Sequence, residues 1–180
     1  MADQENCTIV IDNGTGFLKC GFAGENFPSA MFPSMYGTPI VRSEEKMVEM
    51  ELKEIMVGDE CQAARSNLEV FMPITEGIVT DWDGMIHLWD HAFFERLKID
   101  PSKTSVLLTE APMNPWANRE KMVRIMFEHY GFKAVHVDTQ AVLVLYSQGL
   151  MSGTVLDCGD GVSHVILLRV ETERAAESGD

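Results

Sequence analysis

Two stretches of this sequence place an aspartate ahead of two glycines at the same spacing. In VIDNGTGFLKCGFAG, Val10 to Gly24, they are Asp12, Gly14 and Gly16; in VLDCGDGVSHVILL, Val155 to Leu168, they are Asp157, Gly159 and Gly161. Each Asp-x-Gly-x-Gly run sits between apolar, strand-like segments and reads as the turn of a β-hairpin. Glycine permits positive φ and close approach by a ligand. Consecutive free N–H groups in such a turn form a concave site for anions, phosphate above all. A single turn of this kind is equally an ordinary hairpin connection. Two of them, with the same aspartate placement, argue for a shared chemistry.

The aspartates sharpen that chemistry. A carboxylate about 4 Å from a phosphate oxygen is repelled by roughly 4 kcal/mol at an effective dielectric of 20. A divalent cation between them reverses the sign, because magnesium takes carboxylate and phosphate oxygens, often through water. The repeat therefore predicts a nucleotide with a divalent ion, held between two hairpins. Lys19 would add positive charge towards the phosphates, or stand as a solvent-facing strand lysine. Gln140, in the apolar run TQAVLVLYSQG, and His164, three residues past Gly161, are polar groups of the kind that orient an attacking water when phosphates are near. Either is equally a structural residue. Competing motifs do not occur: there is no G-K-[ST], no H-E-x-x-H and no G-x-S-x-G. G-x-G-x-x-G fails at both turns, where Lys19 and His164 take the last position.

The elements that must position these residues follow from composition and periodicity. With 180 residues, 46% of them hydrophobic and 23% charged, the chain has material for one core and a small insertion. A formal net charge of −14 argues against a nucleic-acid surface. No basic-plus-apolar leader opens the chain and no apolar run is long enough to span a bilayer. The four cysteines, Cys7, Cys20, Cys61 and Cys158, form no C-x-x-C and read as buried reduced thiols, as in a cytosolic protein. Strands are expected at Thr8–Ile11, Phe17–Phe22, Ser105–Thr109, Ala134–Val137 and Thr154–Leu156. Asp59 reads as the N-cap of a short helix running to Asn67. Asp81 caps a helix whose Trp82, Met85, Trp89 and Phe93 recur at helical spacing. Asn114 and Pro115 read as N-cap and first position of a helix that buries Met122, Ile125 and Met126 and stops at Gly131. Thr139–Gln148 reads as a mostly apolar, buried helix closed by Gly149. Arg42–Lys53 is charged and ambiguous between loop, strand and helix. ETERAAESGD reads as a polar tail. Strands first, then alternating strand and helix, indicate an α/β sheet that begins with an antiparallel hairpin.

Longer blocks carry a resemblance. DNGTGFLKCGFAG, GIVTDWDGMIHLWDHAF, LLTEAPMNPWANREKM, QAVLVLYSQG and DCGDGVSH are similar to segments of the actin superfamily, in the same order, from about Ile9 to His164. NGTGF, MVGDE followed by RSNLEV, and HLWDHAF resemble the actin-related proteins of filament-branching complexes more than conventional actin. The resemblance implies the actin-like, ribonuclease-H-like ATPase fold: a first lobe (1–35 and 72–149), a small inserted subdomain (36–71), the first hairpin of a second lobe (150–168) and a non-family tail (169–180). It implies ATP and Mg2+ as cofactors. Gly14, Thr15, Gly16, Phe17 and Lys19 would hold phosphates from one side, and Asp160, Gly161 and Val162 from the other. Asp12 and Asp157 would hold metal-bound water, and Gln140 and His164 would position the hydrolytic water. Implied partners are actin, actin-related protein 3 and the other subunits of the nucleating complex, in the cytoplasm and cytoskeleton.

The sequence also departs from the family. Members are about twice as long, and after His164 the likeness stops, so the chain reads as truncated, without the residues that hold adenine and ribose. Asp138 and Thr139 replace residues that are usually apolar, and Cys158 stands where serine is common. Two functional classes follow. One is a nucleotide-switched, weakly hydrolytic assembly protein; the other is a fragment with poor nucleotide binding that at most competes for a partner surface.

Overall fold

A computed structural model describes residues 7–40 and 53–169. The ambiguous Arg42–Lys53 segment, apart from Lys53, and the ETERAAESGD stretch lie outside them.

The main sheet has five strands, in the spatial order Ala134–Thr139, Ser105–Glu110, Thr8–Asn13, Phe17–Phe22 and Ala30–Pro33. β1 (Thr8–Asn13) and β2 (Phe17–Phe22) form the expected hairpin, with Asp12 opposite Lys19. β3 (Ala30–Pro33) extends it on one side. On the other side β9 (Ser105–Glu110) pairs parallel with β1, and β10 (Ala134–Thr139) pairs parallel with β9. Parallel neighbours need crossover helices. These are α2 (Trp82–Asp90), which continues as π-type turns through Arg96, and α3 (Trp116–Arg124), which continues likewise to His129. Strand alternation turns Ile9, Ile11 and Asn13 into the core and leaves Asp12 on the opposite face. Trp89, Phe93, Met85, Leu88, Met126 and Phe132 complete the core cluster.

A separate three-stranded sheet joins β4 (Tyr36–Pro39), β5 (Met56–Val57) and β6 (Leu68–Phe71) around Cys61, Ala64 and Leu68. Two short strands, β7 (Ile74–Thr75) and β8 (Ile78–Val79), form a tight hairpin whose turn, Glu76 and Gly77, has positive φ at both residues. At the far end α4 (Gln140–Ser147) packs Ala141 and Leu145 onto the hairpin of β11 (Ser152–Cys158) and β12 (Ser163–Arg169).

Four local expectations need correction. Asp59 is the first residue of α1 (Asp59–Ala63), not its cap; Gly58 takes the cap position at φ 59°, and the chain continues as a 3-10 turn to Asn67. A Cβ at Gly58 would lie 2.9 Å from the Phe32 ring, so glycine is required there for space as well as for φ. Pro115, not Asn114, precedes the first turn of α3, since its carbonyl accepts the Asn118 and Arg119 N–H groups; the Asn114 amide donates to Glu110. α4 is apolar but only half covered: Val144 and Tyr146 are exposed. The cysteines are all free, but only Cys20 and Cys61 are buried; Cys158 is exposed.

Asp81 is the cap expected of it. Its Oδ1 accepts from Gly84 N at 3.0 Å and its Oδ2 accepts from the Tyr36 hydroxyl at 2.7 Å, tying α2 to the inserted sheet. Burial opposes ionisation of this carboxyl, but hydrogen bonds from Gly84, Tyr36 and Asp83 outweigh it and hold it below the ordinary value of 3.8. Asp81→Ala should cost about 1 kcal/mol or more, read by urea unfolding. The Asp81 contribution is complete above pH 3.8 and fades as pH falls through the depressed value, so the wild type and variant curves should converge in acid. Gly84→Ala should cost about 1–3 kcal/mol by overpacking, because its Cβ would stand 2.3 Å from the Tyr36 ring.

Candidate nucleotide site

The two glycine hairpins face each other across a cleft of about 600 Å³. All twelve residues singled out by the sequence line it: Asp12, Gly14, Thr15, Gly16, Phe17, Lys19 and Gln140 from the main sheet and α4, and Asp157, Asp160, Gly161, Val162 and His164 from β11 and β12. The turns approach to contact. A Cβ on Gly16 would lie 3.0 Å from the Asp160 Cβ, and one on Gly161 would lie 2.7 Å from the Thr15 side chain. Within the first turn, a Cβ on Gly14 would meet the Phe17 carbonyl oxygen at 2.5 Å. A Cβ at Gly14 would collide with backbone, and one at Gly16 or Gly161 would displace the facing Asp160 or Thr15 side chain.

Asp12 is held by three side chains. Its Oδ1 accepts from the Thr109 hydroxyl at 2.7 Å and from Gln140 Nε2 at 2.8 Å, and its Oδ2 accepts from Lys19 Nζ at 3.0 Å. Burial pushes its pKa up, but the bonds from Gln140, Thr109 and Lys19, with the Lys19 charge, lower it overall. Asp12 is therefore a carboxylate poised as an acceptor. Asp157 differs: it pairs in register with His164, and no hydrogen bond reaches its carboxylate among the described residues. His164 Nε2 is buried and also lacks a partner among them. Thr15 Oγ1 accepts from Gly77 N at 2.9 Å, so the β7–β8 turn is tied to the first glycine turn.

Sequence reasoning missed the support beneath this site. Ser34 donates its hydroxyl to the Gly14 carbonyl at 2.7 Å, and its N–H donates to the Gly16 carbonyl at 3.0 Å. Asn13 donates its backbone N–H to Thr109 Oγ1 and its Nδ2 to the Thr109 carbonyl, while its Oδ1 accepts from Trp89 Nε1 at 3.1 Å. A signal existed: Asn13 and Thr109 are polar residues near the ends of mostly apolar strands, where a buried polar group needs partners. At the end of β9, buried Glu110 accepts from Arg119 and Asn114, which braces the strand beside Ala111 in the cleft wall.

Two glycine turns, one lysine and the carboxylates of Asp12 and Asp157, lining one cleft, suit a polyphosphate with a hydrated divalent cation. Among the described residues no three His, Cys, Asp or Glu side chains gather as a metal cage. Such an ion would depend on water and phosphate oxygens as well as on Asp12 and Asp157.

Comparison with known proteins agrees with the geometry. The actin family profile matches residues 3–168. The chain is 59% identical over 158 residues to actin-related protein 2 of Acanthamoeba castellanii, covering 88% of this chain and 41% of that one. It is 57% identical to actin-related protein 2 of Schizosaccharomyces pombe over 163 residues, and 52% identical to that of Arabidopsis thaliana over 164 residues. Each of these last two alignments covers 91% of this chain and 42% of the relative. The chain thus spans about two-fifths of the length of these relatives. With the α/β sheet, the paired glycine hairpins and a family match across nearly the whole sequence, this chain belongs to the actin family.

Proposed function

We propose that this chain carries the phosphate-binding half of an actin-related protein that uses ATP with Mg2+ as a conformational switch in branched filament assembly. The observation that carries the reading is the contact of the two glycine turns, Gly16 against Asp160 and Gly161 against Thr15. Phosphate oxygens between those turns would meet backbone N–H groups from both sides. Gly14, Thr15, Gly16 and Phe17 supply one cradle with Lys19 behind it; Asp160, Gly161 and Val162 supply the other. Mg2+ would offset the phosphate charge, with Asp12 and Asp157 holding its water shell. Gln140 and His164 orient a water for slow hydrolysis. Gln140 already donates to Asp12, so its amide is oriented, and His164 lines the same cleft. The partners of this reading are actin, actin-related protein 3 and the remaining subunits of the nucleating complex, in the cytoskeleton. No helix among the described residues is long and apolar enough to cross a membrane.

A second reading concerns what these residues do by themselves. The outer face of the β11–β12 hairpin leaves Leu156, Val165 and Leu167 67%, 72% and 78% exposed. The cluster under this hairpin has only three buried members. A wall so thinly supported favours weak nucleotide binding by the chain alone.

Equilibrium binding of fluorescent ATP, with Mg2+ and with EDTA, tests both readings. Saturable binding that weakens at least tenfold in EDTA supports the ATP site, and no saturable binding up to millimolar nucleotide overturns it for this chain. Micromolar or tighter binding overturns the second reading. Gly161→Ala should weaken binding by about tenfold, or roughly 1.4 kcal/mol, by wedging Thr15 from its place. Circular dichroism of that variant should be unchanged, because the position lies outside the core.

A further inference from the structure

The two aspartates of the repeat are not equivalent, and the difference lies in Thr109. The last residue pair of the β1–β9 ladder is Ile11 with Leu108, so Asp12 and Thr109 stand side by side one step beyond it. The Thr109 hydroxyl is held on both sides. Its oxygen accepts the Asn13 N–H at 3.1 Å, and its hydrogen goes to Asp12 Oδ1 at 2.7 Å. Because the Asn13 N–H has no other role, the hydroxyl proton is committed to the carboxylate. Asn13 is itself fixed, by Nδ2 to the Thr109 carbonyl and by Trp89 Nε1 to its Oδ1. Trp89 is completely buried. An unbroken chain of hydrogen bonds therefore runs from the core to a carboxylate in the cleft, and it ends on one oxygen of that carboxylate.

We propose that Thr109 is a positioning residue: it locks the Asp12 carboxylate so that a hydrated divalent cation meets it in one fixed orientation. This inference rests on the reading of the cleft as a nucleotide–metal site. With Gln140 and Thr109 on Oδ1 and Lys19 on Oδ2, a single acceptor position remains, on Oδ2. Lys19, Gln140 and Thr109 all line the cleft, but Lys19 and Gln140 are the more exposed, so a nucleotide competes for them first. Thr109 is buried, 6% exposed, and its partners belong to the strand ladder. It is the donor that stays when the cleft fills. Asp157 has no counterpart among the described residues, so the orientation of the metal-facing pair is set from the first hairpin.

The test compares the full chain with Thr109→Val, which keeps the shape and removes the hydroxyl, and with Thr109→Ser, which keeps the hydroxyl. The reading is Mg2+ affinity in the presence of saturating ATP, set beside ATP affinity in EDTA. Thr109→Val should weaken Mg2+ about tenfold and leave metal-free ATP binding within about twofold, and Thr109→Ser should restore the wild-type Mg2+ value. A merely structural role would lower both affinities together. In wild-type chain labelled at threonine methyls, the Thr109 resonance should also move when Mg2+ is added to the ATP-bound protein, which needs no variant to fold. Unchanged Mg2+ affinity in Thr109→Val, or a Thr109 methyl that does not respond to Mg2+, overturns this inference alone. Absence of any Mg2+-dependent ATP binding in the wild type overturns it together with the nucleotide reading.

Discussion

Two backbone turns can touch across a cleft only where one of them lacks a Cβ. That constraint organises the molecule. Gly16 admits Asp160, and Gly161 admits Thr15, so each turn supplies the space that a side chain of the other fills. The arrangement requires the hairpins to come from distant parts of the chain and still meet in register. The β1–β9–β10 ladder leads into α4, and α4 packs onto the separate β11–β12 sheet that carries the second turn. The core of Trp89, Phe93 and Met126 packs against the main sheet, and the bond from Gly77 to Thr15 ties the first turn to the β7–β8 hairpin.

Much of this was legible in the sequence because it rests on local signals. Glycine spacing located both turns, and helical periodicity located α2 with its Asp81 cap. Of the twelve lining residues, Asp12, Gly14, Gly16, Asp157 and Gly161 were legible from spacing and Lys19, Gln140 and His164 from their polarity, while Thr15, Phe17, Asp160 and Val162 followed only from the resemblance to the actin superfamily. What the sequence hid is what tertiary contact decides. Asn114 has the composition of a cap, yet the helix starts from the Pro115 carbonyl, one residue on, and the Asn114 amide donates to the buried Glu110. The cap position of α1 falls on Gly58, one residue before Asp59, and Phe32 leaves no room for a Cβ there. α4 is apolar on most of its surface, and apolarity was read as burial; only Ala141 and Leu145 are covered by the described residues.

The support network was hidden for a different reason. Ser34, Asn13 and Thr109 are small polar residues whose spacing carries no motif, and they matter through partners 20 to 97 positions away. Their combined effect is to make the two halves of the repeat unequal. The first hairpin is embedded in the main sheet and its aspartate is dressed with donors. The second hairpin is two strands resting on one helix. The similar sequences of the turns conceal a rigid side and a lightly supported side.

The indole of Trp89 joins these levels. It is completely buried, and its N–H is bonded to the residue immediately after Asp12. The other two tryptophans behave differently: Trp82 is half-buried beside Lys121, and Trp116 is 73% exposed. The chain therefore contains an internal optical probe whose emission colour separates from that of Trp116. A small displacement of the first glycine turn would register in that blue-shifted component without any attached dye.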